Sequence, residues 1–227
     1  MLLDILFADE FSISNLIISL LSSLAVIFLT MPAHEYAHAF VAYKLGDSNQ
    51  RYMGRLTLNP SAHIHYIGAL FIVLFGFGWA KPVQVNPFYF KNHKRDMALT
   101  ALAGPFANIL TAFVVLVFYN LFYYLGYLFD TVFLIYVAMF FFYIALINIS
   151  LAVFNLIPVP PLDGSRLLSV ILPDRLYYKL MQYERYLYFF VIILVFTGAL
   201  DRPLSAITSF LLSGLNAVAS LPFNLLY

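Results

Sequence analysis

Two histidines and a glutamate occur close together in the sequence, as His34-Glu35-Tyr36-Ala37-His38. Residues four apart lie on the same face of a helix, so both imidazoles can reach one metal ion. The spacing is typical of zinc sites in which the glutamate stands beside the open coordination position and accepts a proton from water. The alternative is two histidines whose ring nitrogens are satisfied inside a helix bundle. We favour one Zn²⁺ per chain, with His34 and His38 as ligands and Glu35 as general base.

A zinc enzyme needs a third protein ligand and keeps the fourth position for water. Asp163 is the favoured carboxylate, because three prolines between residues 158 and 161 precede it and a glycine follows it. These residues end any helix and allow the chain to fold back. The alternative is an aspartate that caps a short helix beginning near Ser165. The other candidates, chosen as His, Asp or Glu side chains that could reach the same depth, are His63, His65, His93, Asp130 and Glu184.

Four further polar residues are candidates for contacts with substrate or with a developing oxyanion. Asn108 and Asn155 lie within or at the end of apolar stretches, where a side-chain amide needs a hydrogen-bond partner. That partner is either a substrate or the backbone of a neighbouring helix. His63 and His65 lie at the start of a shorter apolar stretch, where they either steady an oxyanion or lie at the membrane interface.

Long apolar stretches must position these residues. A bilayer crossing needs about 20 mostly apolar residues in a helix, and Pro32 inside the first stretch predicts a kink or a break. We expect an all-α polytopic membrane protein with about five to six transmembrane helices. The predicted stretches are residues 11–45, 64–79, 97–125, 131–157, 186–200 and, more weakly, 204–226.

The composition agrees with a membrane protein. The 227 residues are 63% hydrophobic and 10% charged, whereas soluble domains have about 25% charged residues. This excludes a soluble enzyme, a nucleic-acid-binding protein and a disordered chain. The net charge of +1 gives no field that would attract an acidic partner, and the absence of cysteine excludes disulfides and thiolate chemistry.

The positions of the cations predict an orientation in the cell membrane. Seven of the twelve Lys and Arg residues lie between Lys44 and Arg95, and four more lie between Arg166 and Arg185. We place both cationic regions in the cytoplasm, and the N-terminus and the turn at 126–130 outside. His38 then lies about 9 Å inside the cytoplasmic edge, because six helical residues separate it from Lys44. Residues 64–79 must not cross, which predicts a re-entrant or β-hairpin element flanked by extended pieces at 51–58 and 81–85.

The chain resembles the site-2 protease family of intramembrane zinc metalloproteases. The His-Glu-x-x-His motif of that family is matched by the first cluster described above. Its Asn-x-x-Pro-x-x-Pro-x-Asp-Gly motif is matched by Asn155, Pro158, Pro161, Asp163 and Gly164, and its Gly-Pro-x-x-Asn helix start is matched by Gly104, Pro105 and Asn108. The resemblance extends over residues 28–168. The chain departs from the family at His65-Tyr66, where an Asp-Pro pair is expected.

The resemblance implies a Zn²⁺ ion bound by His34, His38 and Asp163, with Glu35 as general base. It implies a single integral-membrane protease domain over residues 1–227, with a catalytic core at 28–168 and C-terminal helices at 186–227. The sequence is similar to compact members that lack PDZ-like and nucleotide-sensing domains.

The expected reaction is hydrolysis of a peptide bond in or near a transmembrane segment of a membrane-protein substrate. The partners would be that substrate helix and the lipid bilayer, with no nucleic acid. The extended pieces at 51–58 and 81–85 would bind the unwound substrate by strand addition. The alternative function is a transporter for metal ions or protons, because intramembrane His, Glu and Asp also line ion paths.

Overall fold

The computed structural model describes residues 12–75 and 78–224. Phe11 and Leu226, which bound the first and the last predicted stretches, and residues 76–77 in the second lie outside the described residues. The secondary structure of the described part is helical. Its main helices are α1 (Ile13–Leu45), α2 (Tyr66–Phe75), α3 (His93–Leu128), α4 (Val132–Asn155), α5 (Gly164–Ile171), α6 (Asp174–Gln182), α7 (Glu184–Phe196) and α8 (Asp201–Asn224).

Four of these helices, α1, α3, α4 and α8, are long and apolar enough to cross a membrane. This confirms the all-α architecture with several apolar spans. Helix α2 has 10 residues and α7 has 13, about 15 and 20 Å of helix, whereas the hydrocarbon core is about 30 Å thick. The count of five to six crossings therefore stays a prediction.

Helix α1 contains a widened turn just before Pro32 and is not broken there, so the prediction of a break is wrong and the kink stays a prediction. Residues Val26–Thr30 form a π-helical turn, in which the Met31 N–H donates to the Val26 carbonyl. Proline has no N–H and its ring crowds the carbonyl of the preceding turn, so a wider turn just before it removes both conflicts. The helix therefore continues through Pro32 into the segment that carries His34 and His38.

Helix α4 is central to the packing because it contributes to both hydrophobic clusters. Ile144, Ile147 and Leu151 pack with Val26 and Ile27 of α1. Ala145, Ile149 and Val153 pack with α3 and α8 in a second cluster. The Ser22 hydroxyl of α1 lies 3.0 Å from the Phe140 carbonyl of α4 and 2.8 Å from the Ile18 carbonyl of its own helix. Small residues at this contact allow the two helices to approach closely.

The predicted β-hairpin form of the element after the first motif is wrong for the residues that the structure describes. No strand is present in 12–75 or 78–224, and α2 occupies the first part of the element. Residues 80–86 form no regular secondary structure, and their backbone groups are hydrogen-bonded mainly by side chains of other segments, including Arg55, Gln50 and Asp47. Because no second strand pairs with them, no ladder forms. Residues 51–52 of the other extended piece belong to a single helical turn, Asn49–Tyr52.

The contact between α3 and α8 includes a hydrogen bond inside the apolar region. The Asn120 amide nitrogen donates to the Asn216 side-chain oxygen at 2.9 Å and also lies 2.8 Å from the Leu116 carbonyl. Helix α8 is mostly exposed, so this bond and the contacts around Ala219 hold it to the bundle.

We expect Asn216→Ala to lower the free energy of unfolding by about 0.6–1.7 kcal/mol, the range for hydrogen bonds between membrane helices. Unfolding in mixed micelles can be followed by the fluorescence of the single tryptophan, Trp79. Asn120→Ala combined with Asn216→Ala should cost less than the sum of the two single changes. Strict additivity would mean that the two side chains do not interact.

Candidate metal centre

Three ligand atoms from two distant parts of the chain converge beside the α3 helix. His34 Nε2 and His38 Nε2 lie 3.1 Å apart, and Asp163 Oδ2 lies 3.4 Å from the first and 3.2 Å from the second. Both histidines are buried. Asp163 Oδ2 is a buried oxygen for which the described residues provide no hydrogen-bond donor. Two imidazole nitrogens and an unpartnered carboxylate oxygen directed at one point fit a divalent cation with one open position.

The chain reaches Asp163 by turning back after α4. Gly164 begins α5, and a β-carbon there would lie 2.3 Å from the Leu156 carbonyl oxygen, so the close return of the chain requires glycine. Asp163 occupies the N-cap position of α5, yet its side chain makes no capping hydrogen bond within the described structure. The carboxylate is directed toward the two histidines instead, which argues against the helix-cap interpretation.

Helix α3 supports the histidines from the other side. His38 Nδ1 lies 2.7 Å from the Thr100 carbonyl oxygen. A carbonyl only accepts, so Nδ1 must carry the proton, and the Nε2 lone pair is left for a metal. A β-carbon on Gly104 would lie 2.2 Å from His38 Nε2 and 2.6 Å from His34 Nε2. The missing side chain at residue 104 therefore makes the space that both imidazoles occupy.

Glu35 lies between the two histidines in sequence and is also buried. Its Oε2 accepts a hydrogen bond of 3.0 Å from the Val83 N–H, which belongs to the irregular segment at 80–86. The carboxylate therefore has a fixed partner on one oxygen while it faces a cavity.

The cavity has a volume of about 370 Å³ and adjoins the metal ligands. His34, Glu35 and Asp163 lie on its wall together with three of the four predicted substrate contacts, Asn108, Asn155 and His65. The rest of the wall is mainly apolar and aromatic, with Trp79, Tyr188 and Phe196 among its residues. The Trp79 and Tyr188 rings are 6.3 Å apart at 88°, an edge-to-face contact between the residue that precedes the segment at 80–86 and α7.

The structure places the other predicted residues elsewhere. His63 is fully buried beneath the loop at 57–63, and its Nε2 lies 2.8 Å from the Thr57 carbonyl. Glu184 lies 3.8 Å from Arg166, and Asp130 is exposed in the turn between α3 and α4. His93 is exposed and contacts the Pro87 carbonyl.

Sequence reasoning missed three contributors to the site. The Thr100 carbonyl and the Val83 N–H are backbone groups, so no residue type in the sequence marks them. Tyr188 lies on α7, where aromatic residues are common and none stands out. Gly104 lies in the Gly-Pro-x-x-Asn motif, which was interpreted as a site of close helix packing. Its contact with the imidazoles was not predicted.

The comparisons with known proteins agree with this geometry. Residues 22–198 match the family described as peptidase family M50. The chain belongs to that family. It is 36% identical over 171 residues to the "Putative zinc metalloprotease YwhC" of Bacillus subtilis, covering 75% of this chain and 78% of that relative. The resemblance to site-2 proteases is thereby confirmed.

Relatives in mycobacteria are also similar to this M50 chain. It is 29% identical to the "Putative zinc metalloprotease Rip2" of Mycolicibacterium smegmatis, over 77% of the chain and 66% of that relative. It is 34% identical to the protein of the same name from Mycobacterium tuberculosis, over 58% of the chain and 49% of that relative. No solved structure gives a significant match. Family membership together with four apolar helices identifies a multi-pass membrane protein.

We expect Gly104→Ala to weaken metal binding by about tenfold or more, since disturbing the groups that orient a ligand costs that much. The new methyl group must displace both imidazoles. The measurement is the metal content of purified protein across a series of chelator concentrations. Gly214→Ala is the matched control, because a β-carbon there meets nothing within 4 Å. Equal metal affinity in the two variants would contradict the assignment.

Proposed function

We propose that this chain is a zinc metalloprotease that hydrolyses a peptide bond in or near a transmembrane segment of a membrane protein. The observation that carries the proposal is the convergence of His34 Nε2, His38 Nε2 and Asp163 Oδ2 beside a cavity that Glu35 also lines. Membership of a peptidase family supports it independently. The transporter alternative has no support from the comparisons, whose named relatives are zinc metalloproteases.

The donor set suits zinc because two neutral imidazoles and one carboxylate leave a position open for water. His34, His38 and Asp163 would hold the ion. When bound, zinc supplies a Lewis acid that lowers the pKa of water and polarises the scissile carbonyl. The Thr100 carbonyl keeps His38 in the tautomer and orientation that binding needs.

Glu35 acts as general acid and base in this proposal. Its Oε2 is occupied by the Val83 N–H, so Oε1 is the oxygen left to accept a proton from the attacking water. The same carboxyl group then donates that proton to the amine nitrogen as the peptide bond breaks. No proton is gained or lost by the enzyme over the cycle.

Asn108 and Asn155 are the proposed donors to the oxyanion that develops on the scissile carbonyl. Both line the cavity with Glu35, and Asn108 is 2% exposed. The Asn108 side chain has no hydrogen-bond partner among the described residues, so its amide is available to bind substrate. His65 lines the same cavity from the start of α2, while His63 keeps the loop at 57–63 in place.

The substrate must offer an apolar, locally unwound peptide. A helical segment has its carbonyls hydrogen-bonded, so the scissile bond becomes accessible only after local unwinding. The mainly apolar wall of the cavity favours hydrophobic side chains next to that bond. Strand addition at 81–85 could use only those backbone N–H and C=O groups that are not already hydrogen-bonded within the protein.

We also propose that residues 1–227 form one integral-membrane protease domain with its N-terminus outside the cell membrane. The distribution of Lys and Arg supports this orientation. The site would then lie nearer the cytoplasmic face, with α2 re-entering the membrane instead of crossing it. The short length of α2 supports that arrangement.

Glu35→Gln should retain zinc and lose at least about 100-fold of the cleavage rate, because the amide cannot accept the proton. His34→Ala and Asp163→Ala should lose zinc as well as activity. The assay is cleavage of transmembrane reporters co-expressed with the enzyme, with zinc measured in the purified variants. A Glu35→Gln enzyme that cuts at the normal rate would refute the role of Glu35.

The orientation can be tested by single-cysteine labelling, since the natural chain has no cysteine. Met53→Cys and Lys91→Cys should both react only when the cytoplasmic side is open to a membrane-impermeant maleimide. Phe129→Cys should react from outside. Met53 and Lys91 flank the α2 element, so reaction from opposite sides would show that the element crosses.

A further inference from the structure

The irregular segment at 80–86 makes one contact with the proposed general base and several contacts that fix its own position. The Val83 N–H donates to Glu35 Oε2 at 3.0 Å. A glutamate side chain has three rotatable bonds, so a carboxylate facing a cavity needs a restraint if it is to stay at one angle. Among the described residues, the Val83 backbone amide provides this restraint.

The N-terminal end of the segment is held by Arg55 and His63. The Arg55 guanidinium donates to the Ala62 carbonyl at 2.8 Å and to the Lys81 carbonyl at 3.3 Å. The Lys81 N–H donates to the His63 carbonyl at 2.7 Å. These contacts join the segment to the loop before α2.

The C-terminal end is held by a buried polar pair just after α1. Asp47 and Gln50 are both fully buried. Asp47 Oδ2 accepts from the Gln50 amide at 2.8 Å and from the Asn86 N–H at 3.1 Å. The Gln50 amide also lies 2.8 Å from the Gln84 carbonyl. Loss of these donors would leave a buried carboxylate without partners and would destabilise the fold. The pair therefore fixes residues 84–86 against the end of the helix that carries Glu35.

We propose that residues 80–86 act as a clamp that orients the Glu35 carboxylate through the Val83 N–H, with Asp47 as the residue that sets the position of the clamp. The inference rests on the proposed function, because it assumes that Glu35 transfers the proton. Val83 and Asp47 are positioning residues, since they act through Glu35. The hydrogen bond to Oε2 leaves Oε1 directed to the cavity at a defined angle. A small error in that angle would lower the rate of proton transfer.

The first test measures amide hydrogen exchange and does not depend on activity. In the wild-type protein in detergent, the Val83 amide should exchange at least about tenfold more slowly than the Gln84 amide, for which the described residues provide no acceptor. Glu35→Ala should remove the protection of Val83, whereas Glu35→Gln should keep it, because the amide oxygen still accepts. Equal exchange of Val83 in these three proteins would overturn the clamp.

The second test compares two proline substitutions, one inside the clamp and one outside it. Val83→Pro removes the N–H that donates to Glu35, whereas Lys91→Pro removes an N–H for which the described residues provide no acceptor. Lys91 is exposed, and the extended backbone of Phe90 before it is compatible with a following proline. We expect kcat of Val83→Pro on a cleaved transmembrane reporter to fall about 10–100-fold, less than the whole contribution of a general base. Its KM and zinc content should stay near wild type, and Lys91→Pro should keep most of the activity. Equal losses in both variants would overturn the proposal.

Asp47→Ala provides a variant that leaves the Val83 backbone intact. It removes the oxygen that accepts from the Gln50 amide and from the Asn86 N–H, so the Val83 amide should lose protection and kcat should fall while zinc stays bound. If instead the wild-type protein holds no zinc and cuts no reporter, the proposed function fails. The exchange experiment would still decide whether the clamp holds Glu35.

Discussion

Two imidazoles and a carboxylate lie within a few ångströms of one another inside a largely apolar bundle. Much of the helix packing positions these three groups. His34 and His38 approach each other because they are one turn apart on α1, while Asp163 arrives from a loop more than a hundred residues later. Burying a carboxylate and two imidazoles in such surroundings raises the free energy of the folded protein unless a positive charge balances the carboxylate. A bound divalent cation would supply that charge, so the arrangement suits a ligand set.

Packing around this contact requires small or missing side chains at defined places. Gly104 gives room to the imidazoles, and Gly164 allows the return that delivers Asp163. The widened turn at Val26–Thr30 lets α1 pass through Pro32 without a break, so that the histidines follow on a regular helix. A side chain added at either glycine would meet ligand or backbone atoms directly. The same residues therefore determine both the helix packing and the arrangement of the candidate metal ligands.

The sequence predicted the convergence of His34, His38 and Asp163 more reliably than the surroundings of these three residues. Spacing on a helix brings His34 and His38 together without further information, and the prolines before Asp163 mark a chain reversal. The β-hairpin was a wrong prediction because extended residues were expected to pair with each other. They are bound instead by Arg55, Gln50 and Asp47, and such long-range side-chain contacts leave no local pattern. The number of crossings is open for a similar reason, since hydropathy alone does not set how deeply a short helix enters a bilayer.

Proton transfer places a stricter demand on geometry than metal binding does. Three ligands share the task of holding a cation, so a small displacement of one ligand can be compensated by the other two. A general base transfers the proton through one oxygen, which must lie at one angle. In this protein Glu35, the proposed base, lies on the same helix as the two histidines, but its carboxylate contacts a separate segment. That segment is fixed at one end by a guanidinium and at the other by a buried carboxylate. With the proposed roles, a change in the segment should lower the catalytic rate without lowering metal affinity, because different parts of the chain would position the ion and the base.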